Sequence, residues 1–362
     1  MKIQFKRSNL VLAAVIAAAL MAGPAAQMPE AHASAAAAKY KITNQAFRIE
    51  GTSKTIGTLN SSSTTYIALR SLGTNLGLNV SYDSAAKTVK ITGRGRVLTM
   101  NLNNGSTTLN GQLIFGPEAI VQDNVTYLPL RFLLEQMGYV ITYDQTSKLI
   151  GIQAIQENDL QVETKQIGAD GDGKSLSVYY PVISGYKDAV IQQKINNFIK
   201  QEVDKQIESD TQIMDNVIEE NNELIKNDPD ISVNPPSLDA VYKVSYNEKG
   251  LLSLYLDYYL YLGGAHGDTI RTPYTFDLTT GNVLSLKEAA GNKAEYVTII
   301  NNEIQKQIKS RNLSLLTPFK TIESDRDYFL NHNGIVIYFD EYEYTPFALG
   351  LPEFTIPYSK FE

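Results

Sequence analysis

Cysteine is absent from the chain. That excludes every disulfide and a lipoprotein anchor, and leaves the core alone to hold the fold. Histidine is nearly absent: His32, His266 and His332 are the three in 362 residues. The last two stand 66 positions apart, so the paired-histidine spacing of zinc proteases does not occur. No G-x-S-x-G nucleophile elbow occurs either, and nothing marks a serine partner for His266. Basic side chains are outnumbered, 32 Lys and Arg against 39 Asp and Glu, for a formal net charge of −7. Nucleic-acid binding needs clustered Lys and Arg, so an acidic chain is a poor candidate for it and draws cationic partners instead.

What is present at the start concerns export. Lys2, Lys6 and Arg7 precede an apolar run, Leu10 to Gly23, and then Ala31-His32-Ala33. A positive flank, a short apolar core and a small-x-small exit predict a signal peptide, residues 1–33, cleaved after Ala33. The run is 14 residues, short of the ~20 that a membrane-spanning helix needs. Losing Lys2, Lys6, Arg7 and Glu30 with the leader takes the formal net charge from −7 to −9. The expected location is secreted or cell-wall associated, and the remaining length suits about two domains.

An internal repeat follows. "TYIALRSLGTNLGLNVSYDSAAKTVKI" (Thr65–Ile91) aligns without gaps on "TYLPLRFLLEQMGYVITYDQTSKLIGI" (Thr126–Ile152), ten of 27 positions being identical at an offset of 61. A fixed-spacing repeat is one supersecondary unit used twice. Each unit reads as a short extended entry, an amphipathic helix stopping at Gly77 or Gly138, and a hairpin. These residues resemble the stalk domain named after the N-terminal domain of copper amine oxidases, over about 41–152. It is common, and often duplicated, in secreted proteins of Gram-positive bacteria. The copper does not carry over: copper amine oxidases need three histidine ligands and a modified tyrosine, and the chain after the leader holds two histidines. The resemblance implies a spacer or binding module.

The mostly polar stretch Gln156–Gln166 reads as a linker. Beyond it come a strand, Leu176–Ile183, and a helix with Ile191, Ile195, Phe198, Ile199, Val203 and Ile207 at helical spacing. Three extended runs follow, Ala240–Asn247, Leu251–Leu262 and Thr269–Leu278, then a helix over about Ala294–Ser310 and closing strands. The order predicts an α+β fold, a duplicated strand-helix-hairpin stalk followed by an antiparallel sheet packed with helices. "YYLYLGGAHGDTIRTPYTFDLTTGNVLSL" and "GIVIYFDEYEYTPFALGLPEFTIPYSKF" resemble the paired domains in the extracytoplasmic region of anti-sigma-V factors, over about 162–361. A similar pair precedes the catalytic domain of peptidoglycan N-acetylmuramic acid deacetylases. In the anti-sigma family this region is a receptor for lysozyme, so the resemblance implies a binding surface. No counterpart of that family's cytoplasmic sigma-binding segment or membrane helix is expected in this sequence. Nor is one of the His-x-x-x-His metal pair of the deacetylases, so no metal, other cofactor or catalytic residue is expected.

"GADGDGKS" (Gly168–Ser175) fits the phosphate-loop pattern letter for letter, but a strand follows where a helix must hold the phosphates, and Asp170 and Asp172 repel them. It reads as a hairpin loop, with no nucleotide. A calcium loop from Asp170 fails as well, since Lys174 takes a ligand position and Pro181 stands where the last carboxylate belongs.

Two stretches remain as candidate binding surface. In Leu251–Asp268, Leu252, Leu254, Leu256, Leu260 and Leu262 alternate, with Tyr258 among them, opposite Tyr255, Asp257, Tyr259 and Tyr261. The tyrosine face is either covered by a helix or open to a partner. His266 follows Gly263-Gly264 and closes a turn or lies in a binding loop beside Asp268. The second stretch is "YFDEYEY", where Asp340, Glu341 and Glu343 flank Tyr342 and Tyr344: a solvated loop, or carboxylates that steer a cationic partner onto tyrosines. The expected partner is a basic protein such as lysozyme, or peptidoglycan. The rival expectation is a cell-wall-active enzyme or an accessory to one.

Overall fold

The computed structural model describes residues 40–362, so the expected leader at 1–33 lies outside the described residues. The fold is α+β. Its first region builds a seven-stranded sheet in the order Tyr139–Asp144, Leu149–Ala154, Thr43–Ile49, Thr52–Ser61, Thr64–Ala68, Val125–Pro129, Ile120–Gln122. A five-stranded sheet, Asn79–Asp83, Thr88–Gly93, Arg96–Asn101, Thr107–Leu109 and Gln112–Ile114, packs with it on one core. Both repeated segments run strand, helix, hairpin. Helix α1 (Leu69–Leu76) buries Leu69 and Leu72, and α2 (Leu130–Gln136) buries Leu130, Leu133 and Leu134. Each helix runs into a left-handed glycine, Gly77 at φ +67° and Gly138 at φ +79°, a conformation that a side chain would strain. The entry strands pair with each other, Ile67 facing Leu128, which are equivalent positions of the repeat. The hairpins then part: the first joins the five-stranded sheet, and the second joins the seven-stranded one through the parallel pair Thr43–Ile49 and Leu149–Ala154.

The second region is built on a six-stranded sheet in chain order: Gln161–Gly171, Lys174–Ser184, Ser237–Glu248, Leu251–Tyr261, Asp268–Asp277, Asn282–Val283. "GADGDGKS" is its first hairpin turn, with Asp172 (φ +51°) and Gly173 (φ +78°) at the bend. Between the second and third strands runs α3 (Ala189–Asn227), its first turn capped by the Asp188 carboxylate, which accepts from the Val190 and Ile191 amides at 3.0 and 3.1 Å. Ile195, Ile199, Val203 and Met214 of α3 pack into one cluster with Leu252, Leu254, Leu256 and Phe276 of the sheet. Each fully buried aliphatic side chain there contributes about 1.5–3 kcal/mol.

A three-stranded sheet, Tyr328–Asn331, Gly334–Tyr338 and Glu353–Pro357, completes the region with α4 (Leu286–Ala289) and α5 (Tyr296–Ser310). Ile300 and Ile304 of α5 bury against Ile335, Ile337, Phe354 and Ile356. Among the described residues no helix is long and apolar enough to cross a membrane.

The expected linker is corrected in its second half, because Gln161–Gln166 belongs to the first strand of the six-stranded sheet, and its first half is stitched to both sides. Arg94 and Arg96 clamp the Glu157 carboxylate at 3.2 and 2.5 Å, and the Asn158 side chain bonds Asn247, Gly250 and Leu251. In Ser237–Glu248, the parallel pairing with Lys174–Ser184 stops at Val178 and Ala240. There the buried Gln112 side chain takes the next strand's place. Its amide donates to the Tyr242 carbonyl and accepts from the Tyr242 amide, both at 2.8 Å.

Candidate functional site

Strand Leu251–Tyr261 alternates as its sequence requires, and Leu252, Leu254, Leu256, Tyr258 and Leu260 all face the α3 core. Leu262 does not join them; it lies past the strand end and is exposed. The opposite face corrects the expectation of a single tyrosine surface. Its middle is covered, and by a sheet rather than a helix: Tyr255 is buried with Phe329, Val336 and Tyr338. The Arg271 guanidinium lies 3.9 Å from the centre of the Tyr255 ring and forks onto Asp257 at 2.7 and 2.8 Å, with Glu353 at 2.5 Å. Burial disfavours that charge, but the Asp257 hydrogen bonds, with Tyr255 and Glu353, hold the guanidinium pKa above its usual value. Tyr255 therefore serves the core and offers no contact surface.

Only the far end of this face is open. Tyr259 is partly exposed and its hydroxyl accepts from the Gly267 amide at 2.8 Å, while Tyr261 is half-buried. The loop after it carries His266, whose Nδ1 is 3.0 Å from the carbonyl of the adjacent Gly267, a contact with its own chain neighbour rather than across the turn. Asp268, exposed, starts the next strand.

The second stretch folds over this turn. Its acids are not equivalent. Glu343 is a structural anchor: both its oxygens take the Arg326 guanidinium, at 2.7 and 2.6 Å, and it also accepts from the Asp340 amide at 2.9 Å. Tyr344 turns inward onto Phe339 and Phe319, with ring centres 4.5 and 5.5 Å away. Both expectations of exposed contact residues are thereby corrected, because local hydrogen bonding and core packing already use them. Glu341 accepts from the Thr269 amide at 3.0 Å and so ties the loop to the edge of the neighbouring strand. Asp340 keeps an open surface, yet partial desolvation raises its carboxyl above the usual carboxylate range, with Arg326 opposing.

Tyr342 sits at φ +62°, a left-handed turn position, and the residue is 53% exposed. It stacks on Phe347 (centres 5.6 Å apart, planes at 25°), and Phe347 stacks on His266 (4.0 Å, 22°). The Tyr342 hydroxyl is 3.5 Å from His266 Nε2. Two loops distant in sequence thus build one surface knob of three stacked rings. The Tyr259 hydroxyl bonds the Gly267 amide next to His266, Leu349 is exposed in the 3-10 turn that carries Phe347, and Asp268, Asp340 and Glu341 stand within two residues of His266 or Tyr342 in the chain. Phe347 escapes a sequence reading: it is a lone aromatic after Pro346 with no periodic neighbour. Among the described residues no group of three His, Cys, Asp or Glu side chains is placed to hold a metal ion.

Such an arrangement offers a preformed, partly apolar contact surface with a negative border, and no acid-base pair aimed at a reacting atom. Successive stretches of the chain match the families described as "Copper amine oxidase N-terminal domain" (residues 49–152), "Deacetylase PdaC" (169–269) and "Protein of unknown function (DUF3298)" (289–359). The chain is therefore a copper amine oxidase N-terminal-like domain followed by PdaC and DUF3298 domains. It is similar to the anti-sigma-V factor RsiV of Bacillus subtilis, 25% identical over 218 residues, covering 53% of this chain and 66% of that protein. It is also similar to the peptidoglycan-N-acetylmuramic acid deacetylase PdaC of the same organism, 23% identical over 196 residues, 52% of this chain and 38% of that protein. The chain thus spans less than two thirds of the length of either relative. A solved DUF3298-family structure from Bacteroides fragilis aligns with 56% of the chain and 93% of its own length, at 18% identity and a TM-score of 0.43.

Proposed function

We propose that this is a non-enzymatic cell-envelope binding protein, exported from the cell, whose C-terminal region docks a basic protein, lysozyme being the leading candidate. One observation carries the reading: the His266–Phe347–Tyr342 stack joins two loops at the surface, Tyr342 is exposed, and Asp268, Asp340 and Glu341 stand within two residues of its ends in the chain. Rigid aromatic rings supply contact area at little entropic cost, and bordering acids steer a cationic partner inward. Likeness to an anti-sigma-V factor and a peptidoglycan deacetylase supports placing the protein at the envelope.

The test is surface-immobilised binding kinetics with hen-type lysozyme at two salt concentrations. Tyr342→Ala is expected to speed dissociation roughly tenfold, about 1.4 kcal/mol. Asp340→Asn with Asp268→Asn is expected to slow association at low salt only, because exposed charges are screened within about 8 Å at physiological ionic strength. Wild-type protein that binds no lysozyme at micromolar concentration sinks the reading, as does a Tyr342→Ala variant that binds normally.

A further inference from the structure

A recess lies far along the sequence from the knob, at the joint between the stalk region and the six-stranded sheet. It is a cleft of about 380 Å³, within the range that small-ligand sites occupy. Its floor is the Val241–Val244 stretch of the six-stranded sheet, where Lys243 stands across from Tyr255 and Val241 across from Asp257. The opposite wall is the last strand of the five-stranded sheet, Gln112–Ile114, and the buried Gln112–Tyr242 amide pairing closes one side. At the rim stands Phe115, 82% exposed, the most exposed large apolar side chain of the described residues.

The charged groups sort themselves. Arg94 and Arg96 are committed to Glu157, Asp257 to Arg271, and Glu135 to Arg131. Lys243 is exposed and has no acid within ion-pair distance among the described residues, and the half-buried Gln136 has an unused side-chain amide. The cleft therefore offers a free aromatic platform, one amide and one cation, with apolar wall at Leu113, Leu160 and Val162. A pyranose ring answers this chemistry: its C–H face lies on an aromatic ring, its hydroxyls meet the amide, and a single acidic substituent meets the lysine. Polyphosphates do not suit it, because one unpaired lysine is too little cation for their several charges.

We propose that this joint cleft is a binding site for an oligosaccharide bearing carboxylate groups, of the acidic amino-sugar class, with Phe115 as stacking platform and Lys243 as carboxylate partner. It is a site and a ligand class separate from the protein-docking knob.

The test uses the full chain in isothermal titration with two probes: a tetrasaccharide alternating N-acetylglucosamine and N-acetylmuramic acid, and neutral chitotetraose. Phe115→Ala is expected to weaken both at least fivefold, and Phe115→Tyr to restore them. Lys243→Gln is expected to weaken the carboxylate-bearing probe threefold to tenfold and leave the neutral one unchanged, the difference fading at high salt. Both positions are exposed, so melting temperatures stay at the wild-type value and a folding defect is not confounded with lost binding. Tyr342→Ala is expected to bind both sugars as wild type does, which separates failure here from failure of the docking reading. No saturable binding at millimolar sugar overturns the proposal. So do wild-type affinities in both variants, or equal loss of both sugars in Lys243→Gln. Displacement of the sugars by an extended peptide that pairs with the edge of Ser237–Glu248 would reassign the cleft to strand addition and overturn it as well.

Discussion

Replacing Arg271 by Met probes the contact that holds the three-stranded sheet against the six-stranded one. The Arg271 side chain is 8% exposed, makes two hydrogen bonds to Asp257 and one to Glu353, and lies against the rings of Tyr255, Tyr338 and Phe329. Truncating one member of a buried ion pair typically costs about 3–5 kcal/mol, because the other charge stays behind unpaired. Asp257 is 22% exposed and Glu353 45%, so water reclaims part of that penalty and the lower figure, about 3 kcal/mol, applies. For a cooperative unit of about 200 residues each kcal/mol moves the midpoint by roughly 2–4 °C, which gives a drop of about 6–12 °C. Arg271→Lys keeps the charge but loses the planar fork, and should fall between wild type and Met. Asp257→Asn combined with Arg271→Met should cost less than the sum of the two single changes, since each alone strands its partner. Differential scanning calorimetry with urea titration reads the wild type and all four variants. A Met variant melting within about 2 °C of wild type, or strict additivity in the double variant, would refute the buried-pair account.

Three further outcomes are expected. Because the Asp340 carboxyl titrates above the usual carboxylate range, lowering the pH should neutralise it before ordinary acids. Association with a basic partner should then begin to slow at a higher pH than the one at which ordinary carboxylates titrate, and Asp340→Asn should remove that early step, as read by association rate against pH. Gly267→Ala places a Cβ 2.5 Å from the Leu260 carbonyl oxygen and 2.8 Å from the Tyr259 ring, so the turn must shift. We expect a stability loss of about 1–3 kcal/mol by chemical denaturation, with weaker docking at the knob. We also expect the two regions to be separable domains, with limited proteolysis cutting between about Gln156 and Lys174, and Gln112→Leu hastening that cut by leaving the Tyr242 backbone groups unpaired. Loss of both fragments at one protease dose would count against separable domains.

Much of the fold is legible from local pattern. The helical spacing of Ile195, Ile199 and Val203 is the buried stripe of α3, and the alternating leucines of 251–260 are the core face of their strand. Even α4 carries a signal that the sequence reading passed over, the Ser285–Glu288 capping box. What escapes is what lies across the chain. Tyr255 and Tyr259 are chemically alike and four residues apart, yet one is buried and the other open because a sheet from 328–357 ends between them. Glu343 and Glu341 read as free acids until Arg326 and the Thr269 amide arrive from elsewhere. Phe347 meets His266 only through the closure of an 81-residue separation, which no periodicity encodes.

The Gln112 side chain has a consequence for solubility. A β-strand with unpaired amides is a template on which another chain can add, and the stretch from Val241 onward would be one. By lending a single amide that satisfies both backbone groups of Tyr242, the stalk region acts as an intramolecular plug for that edge. Any condition that pries the joint apart then uncovers sticky backbone, so precipitation and opening of the joint should share one concentration-dependent onset.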